Sequence, residues 1–101
     1  MLHMCVVTHS PELCPMANKT VREKYLSSSK QMPEIAKPLG VTIQDGWTNE
    51  LTHTSYLLVD APNAHAIVQC LSKVHLLEWT KVDVNPVYTR QEIAAQLQKV
   101  T

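Results

Sequence analysis

Two short segments of this chain are apolar on both faces of an extended backbone, and they constrain its fold more than any other feature. Leu2 to His9 alternates Leu2, Met4 and Val6 with His3, Cys5 and Val7, and His53 to Asp60 carries Tyr56, Leu57, Leu58 and Val59 in succession. A strand with two apolar faces belongs in the middle of a sheet, covered above and below. Two further segments are one-sided. Val41 to Thr48 sets Val41, Ile43, Asp45 and Trp47 against Thr42, Gln44, Gly46 and Thr48, and Thr80 to Val87 turns Val82 and Val84 inward. That alternation predicts half-buried strands near sheet edges, with Gly46 marking a bulge and Pro86 a strand end.

Helical periods fill the intervals. Thr20-Val21-Arg22-Glu23 has the form of a capping box, and Val21, Tyr25, Ser28, Met32, Ile35 and Leu39 follow at spacings of four and three. Pro33 interrupts the stripe and predicts a bend or a second segment, because it lacks an N–H and clashes with the preceding turn. Pro38 and Gly40 close the element. Asn63 caps a second helix with the stripe Ala64, Ile67, Leu71 and Val74. Thr89-Arg90-Gln91-Glu92 repeats the capping-box form before Ile93, Leu97 and Val100, a short C-terminal helix whose apolar stripe must lie on something.

Strand, helix, strand, strand, helix, strand is the split βαβ, or ferredoxin-like, order: an α+β domain with an antiparallel sheet of order 4-1-3-2 and two helices on one face, here with a short C-terminal helix added. This order places the two-sided apolar strands centrally, as their composition requires. The helices cover one face, so a second copy is the expected cover of the other and the chain is expected to be a homodimer. Its 101 residues suit one domain spanning 1–101. Hydrophobic residues at 45% and charged ones at 18% place it with chains that fold. Nine basic residues balance nine acidic ones, so neither nucleic acid nor a membrane surface is an expected partner. The lack of a bilayer-length apolar run and of a leader predicts a cytoplasmic protein. Three cysteines, Cys5, Cys14 and Cys70, without CxxC spacing agree with reduced thiols.

In this order of elements the chain resembles the dimeric α/β-barrel group. More narrowly, Thr8-His9-Ser10-Pro11-Glu12-Leu13-Cys14-Pro15, with His53-Thr54-Ser55-Tyr56-Leu57-Leu58-Val59 later, is similar to small bacterial and archaeal domains of unknown function in that group. The resemblance implies two sheets packed face to face around a small cavity. It implies no single reaction, since the group includes muconolactone isomerases, cofactor-independent quinol-type monooxygenases, haem-degrading oxygenases and dimers without catalysis. The chain matches no specific catalytic or haem-ligand motif of these subfamilies.

The topology locates a site. The first strand ends at His9 and the third, running back beside it, begins at His53, so both imidazoles are expected at one sheet edge. Cys14, Trp47 and the connector His75 to Trp79 belong to the same edge. With His9 opposite His53, Val7 faces Ser55, Cys5 faces Leu57 and Val6 faces Tyr56; a slip of one residue would part the histidines. His9, Cys14 and His53 then offer two nitrogens and a sulfur, a donor set for zinc or copper with one position open to water or a small-molecule ligand. Three other readings stand beside it. Cys14 and His9 can form a thiol–imidazole pair. His9 or His53 can serve as general base of an isomerase or monooxygenase, with Trp47, Tyr56 and Trp79 lining a pocket for a small aromatic or unsaturated substrate. The same residues can be strand-end and packing groups of a non-catalytic dimeric module. His3 and His65 fall outside the cluster.

Overall fold

The computed structural model describes residues 1–100. It orders them as β1 (Leu2–Thr8), α1 (Lys19–Ala36), β2 (Thr42–Asn49), β3 (Thr54–Asp60), α2 (Ala64–Lys73), β4 (Lys81–Pro86) and α3 (Arg90–Lys99), with 3-10 turns at Pro11–Leu13, Lys37–Leu39 and Leu76–Glu78. The strands form one antiparallel sheet in the order β2-β3-β1-β4, the ferredoxin-like arrangement. The two strands with two apolar faces are its centre. Along β1, His3, Cys5 and Val7 are buried beneath the helices while Leu2, Met4, Val6 and Thr8 turn the other way. The helix-covered face carries the core, where Cys5, Val59, Ile67, Cys70 and Val74 are almost entirely enclosed. Burying a side chain such as Ile67 or Val59 contributes roughly 1.5–3 kcal/mol.

The ladder has the anticipated register, pairing Val7 with Ser55, Val6 with Tyr56 and Cys5 with Leu57. It also fixes what faces away from the helices. There, Asp45, Leu58, Met4 and Asn85 form one row across the sheet, and Trp47, Tyr56, Val6 and Asp83 the next. The centre of this face is apolar and its margins are acidic and amidic.

Several local expectations are corrected. The bulge in β2 falls between Ile43 and Asp45, not at Gly46. One extra residue at Gln44 reverses the alternation, so Ile43 stands opposite Val59 on the core side while Asp45 and Trp47 stand on the other. Gly46 has a separate role, because a Cβ there would lie 3.0 Å from Leu57 Cδ2. Helix α1 starts two residues early: Asn18 Oδ1 accepts the Val21 N–H, and Thr20 is an interior residue of the first turn. Pro33 does not divide α1, which continues to Ala36. The carbonyl its missing N–H leaves free belongs to Ser29, which is exposed to water. Strand β3 begins at Thr54, one residue after His53. Asn63 and Thr89 cap α2 and α3 as anticipated, the latter with a complete capping box. The stripe of α3, however, stays largely open to water, for no residue of α3 is buried. No helix among the described residues is long and apolar enough to cross a membrane.

Candidate metal centre

At the far end of β1 from the chain terminus, the backbone stops pairing and three ligand-type side chains converge. His9 is the first residue beyond β1, and its N–H donates to the His53 carbonyl at 3.3 Å, extending the β1–β3 ladder by one step. His53 closes the turn from β2 with φ at 51°. This left-handed conformation is uncommon outside glycine, although histidine tolerates it better than most residues, and it costs on the order of 1 kcal/mol or more. The Glu50 carbonyl accepts the His53 N–H, and the Thr54 hydroxyl donates to the Thr52 carbonyl. These bonds hold the turn.

Cys14 sits on a loop without periodicity but with dense backbone bonding. Its N–H donates to the Pro11 carbonyl, while its own carbonyl accepts N–H groups from Ala17 and Asn18. Asn18 ties the loop to α1, donating through Nδ2 to the Glu12 carbonyl while Oδ1 caps the helix. Arg22, one turn into α1, donates from Nε to the Pro15 carbonyl at 2.9 Å and from a terminal nitrogen to the Met16 carbonyl at 3.2 Å. The residues just after Cys14 are thus pinned by a guanidinium, whose planar fork suits two adjacent acceptors. Sequence reading missed Asn18 and Arg22 as positioning groups. The available signal was Asn18 standing three residues before the first buried residue of α1, Val21.

The result is a cluster in which the ligand atoms of His9, Cys14 and His53 all lie within 4.8 Å of one another. His9 Nε2 and His53 Nδ1 face each other at 3.3 Å, and the rings meet edge to face with centroids 5.1 Å apart. Partial burial, and next the neighbouring His53, lower the His9 pKa from its ordinary value of 6.5. Both effects favour the neutral imidazole, the form that ligates a metal.

Trp79 backs the cluster. It is buried, its ring centroid is 5.6 Å from that of His9, and Tyr25 meets it edge to face at 6.4 Å. The three ligand residues open onto a cavity of about 680 Å³ walled by Val7, Leu57, Leu76 and Trp79, with Trp47 bordering it at the β2 edge. The hydroxyls of Thr48 and Ser55, hydrogen-bonded at 3.1 Å, give it a polar patch. Tyr56 does not reach this space. It alternates with Ser55 and Leu57 and so points from the opposite face of the sheet, beside Val6. The cavity lies on the helix-covered side within one chain, whereas the family resemblance had implied a space between two sheets. His3 is buried at the other end of β1, and His65 is exposed on α2, so neither joins the cluster. All three cysteines are free thiols, and burial pushes Cys5 up to about 11, leaving it inert.

No protein-family model matches the chain, and no curated protein does. Among solved structures, the chain is similar to SCO4226 from Streptomyces coelicolor A3(2), with a TM-score of 0.56 and 14% identity over 86% of this chain and 99% of that one. At that identity the likeness shows a shared ferredoxin-like α+β fold and leaves function to be argued from the site itself.

Proposed function

We propose that this protein binds a transition-metal ion, zinc or copper, through His9 Nε2, His53 Nδ1 and Cys14 Sγ, with a fourth position turned toward the cavity. The observation that carries this reading is the 3.3 Å separation of the two facing nitrogens. Two nitrogens each about 2.0–2.1 Å from a metal and at a tetrahedral angle stand about 3.3–3.4 Å apart. The imidazoles are already at the distance that ligation demands, and Cys14, on its pinned loop, has at most a small closing movement to make. Two imidazoles with a thiolate suit zinc, and equally a trigonal copper site, whereas a magnesium or calcium ion would want oxygen ligands. Binding requires each facing nitrogen to present its lone pair, so the ring that donates across the pair shifts its proton to its outer nitrogen, as the other ring already has it, and the thiol loses its proton. The fourth position would give a small molecule in the cavity direct access to the metal.

The test is reconstitution of reduced, untagged protein followed by elemental analysis. One equivalent of zinc or copper per chain is expected, with release of protons on binding. Less than about one-tenth of an equivalent of either metal after reconstitution would refute the reading.

The same 3.3 Å contact supports one other use of the pair. Without metal, neutral His9 is a general base beside the cavity, hydrogen-bonded to His53, for proton transfer on a small unsaturated substrate. Turnover that survives chelation and the Cys14→Ser substitution would favour that reading over the metal centre.

A further inference from the structure

Helix α3 is well started and poorly housed. Its capping box joins Thr89 and Glu92 through reciprocal hydrogen bonds of 3.0 Å each. Yet Ile93, Leu97 and Val100, which share one helical face, are 41%, 61% and 79% exposed, and Tyr88 just before the helix is 60% exposed. An isolated helix of this length is marginal in water, and what usually holds such a helix is packing of its apolar face. The chain also leaves a sheet face without cover. Trp47 and Tyr56 are exposed there, with Met4, Val6 and Leu58 only half-buried between them.

These two surfaces match in length and in charge. Four strands span about 14 Å at their usual spacing, and a ten-residue helix is about 15 Å long. Arg90 opens α3 and Lys99 closes it, while Glu92 is already engaged in the capping box. On the open face the acidic residues Asp45 and Asp83 stand on the two edge strands, β2 and β4, with the apolar strip between them. Asp60, on the same face, is paired with the Met1 amino group at 2.9 Å, and Lys81 lies at the end nearest the metal cluster. Arg90 shares the face of Ile93 and Leu97, so the docking side of α3 is basic at its start and apolar beyond, and it fits a sheet face with acidic edge residues and an apolar middle.

We propose that a second copy of this chain completes the match, with α3 of each protomer lying across the open sheet face of the other. The contact is then made twice about a two-fold axis, the usual closure for a homodimer. The doubling matters, because a stable pair buries roughly 800 Å² per partner and one short helix alone falls short of that. Sheet packed directly on sheet would leave the α3 stripe in water. The exchange covers both exposed surfaces at once, and it stands independently of any metal.

Sedimentation equilibrium on the full chain tests this. A dimer is expected, with Leu97→Asp driving it to monomer while the circular dichroism of the folded sheet is kept. Arg90→Glu weakens association at least tenfold, and adding Asp45→Lys with Asp83→Lys restores it. A monomeric wild type would overturn the proposal. So would a dimer that Val6→Asp breaks but Leu97→Asp does not, the signature of sheet on sheet. Failure of the second charge reversal to restore association would overturn the assigned contact.

Discussion

The two ends of β1 carry the same residue type on the same face and give it opposite fates. His3 and His9 are separated by an even number of positions, so both project toward the helices. His3 is fully enclosed, opposite Val59 on one side and Pro86 on the other, and neither ring nitrogen has a hydrogen-bond partner among the described residues. His9 lies just past the last ladder pair, half-buried, facing His53 and backed by Trp79. Nothing intrinsic to histidine separates them. What separates them is that the roof of helices and the continuous ladder close over one end of the strand and stop short of the other. A lone pair is useful only where a second donor and a path from solvent meet it, and the cavity beside His9 supplies both.

The sharpest way to break this comparison is to remove the ligands at the open end. His9→Ala, His53→Ala or Cys14→Ser is expected to weaken zinc binding by more than about a hundredfold, beyond the range typical of supporting residues, measured by competition with a chromophoric chelator. Because these side chains are only half-buried, thermal stability of the metal-free protein should change little. Equal losses from His3→Leu would erase the distinction between the two ends. One step out, Arg22→Ala frees the Pro15 and Met16 carbonyls and loosens the Cys14 loop. About a tenfold loss of affinity is expected, with Arg22→Lys recovering only part of it since an ammonium lacks the planar fork. An unchanged affinity would show that backbone bonds alone hold the loop.

Much of this geometry was legible in the residues. The pairing of His9 with His53 follows from two apolar strands running antiparallel at the sheet centre, and the same parity already sets Tyr56 on the opposite face from both histidines. Tyr56 therefore stands on the face opposite the cavity, beside Val6. The Gln44 bulge was not legible, because an inserted residue leaves the local alternation of polar and apolar side chains looking regular while reversing which face each half presents. The Cys14 loop was hidden for a different reason. It is fixed by side chains bonding to main-chain carbonyls, Asn18 to Glu12 and Arg22 to Pro15 and Met16, and such bonds have no period to read. The exposure of α3 was equally invisible, since a stripe shows that a helix needs cover without showing where the cover comes from.

At the closed end the energetic question is what His3 contributes. A buried imidazole with two unpartnered nitrogens carries the desolvation cost of both without a compensating bond. His3→Leu keeps much of the volume and removes that cost, so stability is expected to rise by about 1 kcal/mol in urea unfolding. A loss of 2 kcal/mol or more would instead mean that the ring's shape is needed by the core around it.

The smallest effect is in pH and is read at His9. The pKa of His9 is lowered on folding, chiefly by burial and then by His53, so the unfolded chain binds the proton more tightly than the folded one. Stability therefore rises with pH across the interval between the depressed folded value and the ordinary 6.5, and acidification through that interval removes it. The urea midpoint of metal-free wild type is expected to fall further between pH 7.5 and acid than that of His9→Gln, as this contribution is lost. A wild-type midpoint that falls no further than that of His9→Gln would place the His9 ring in water, and with it would go the contrast between a half-sheltered histidine and a sealed one.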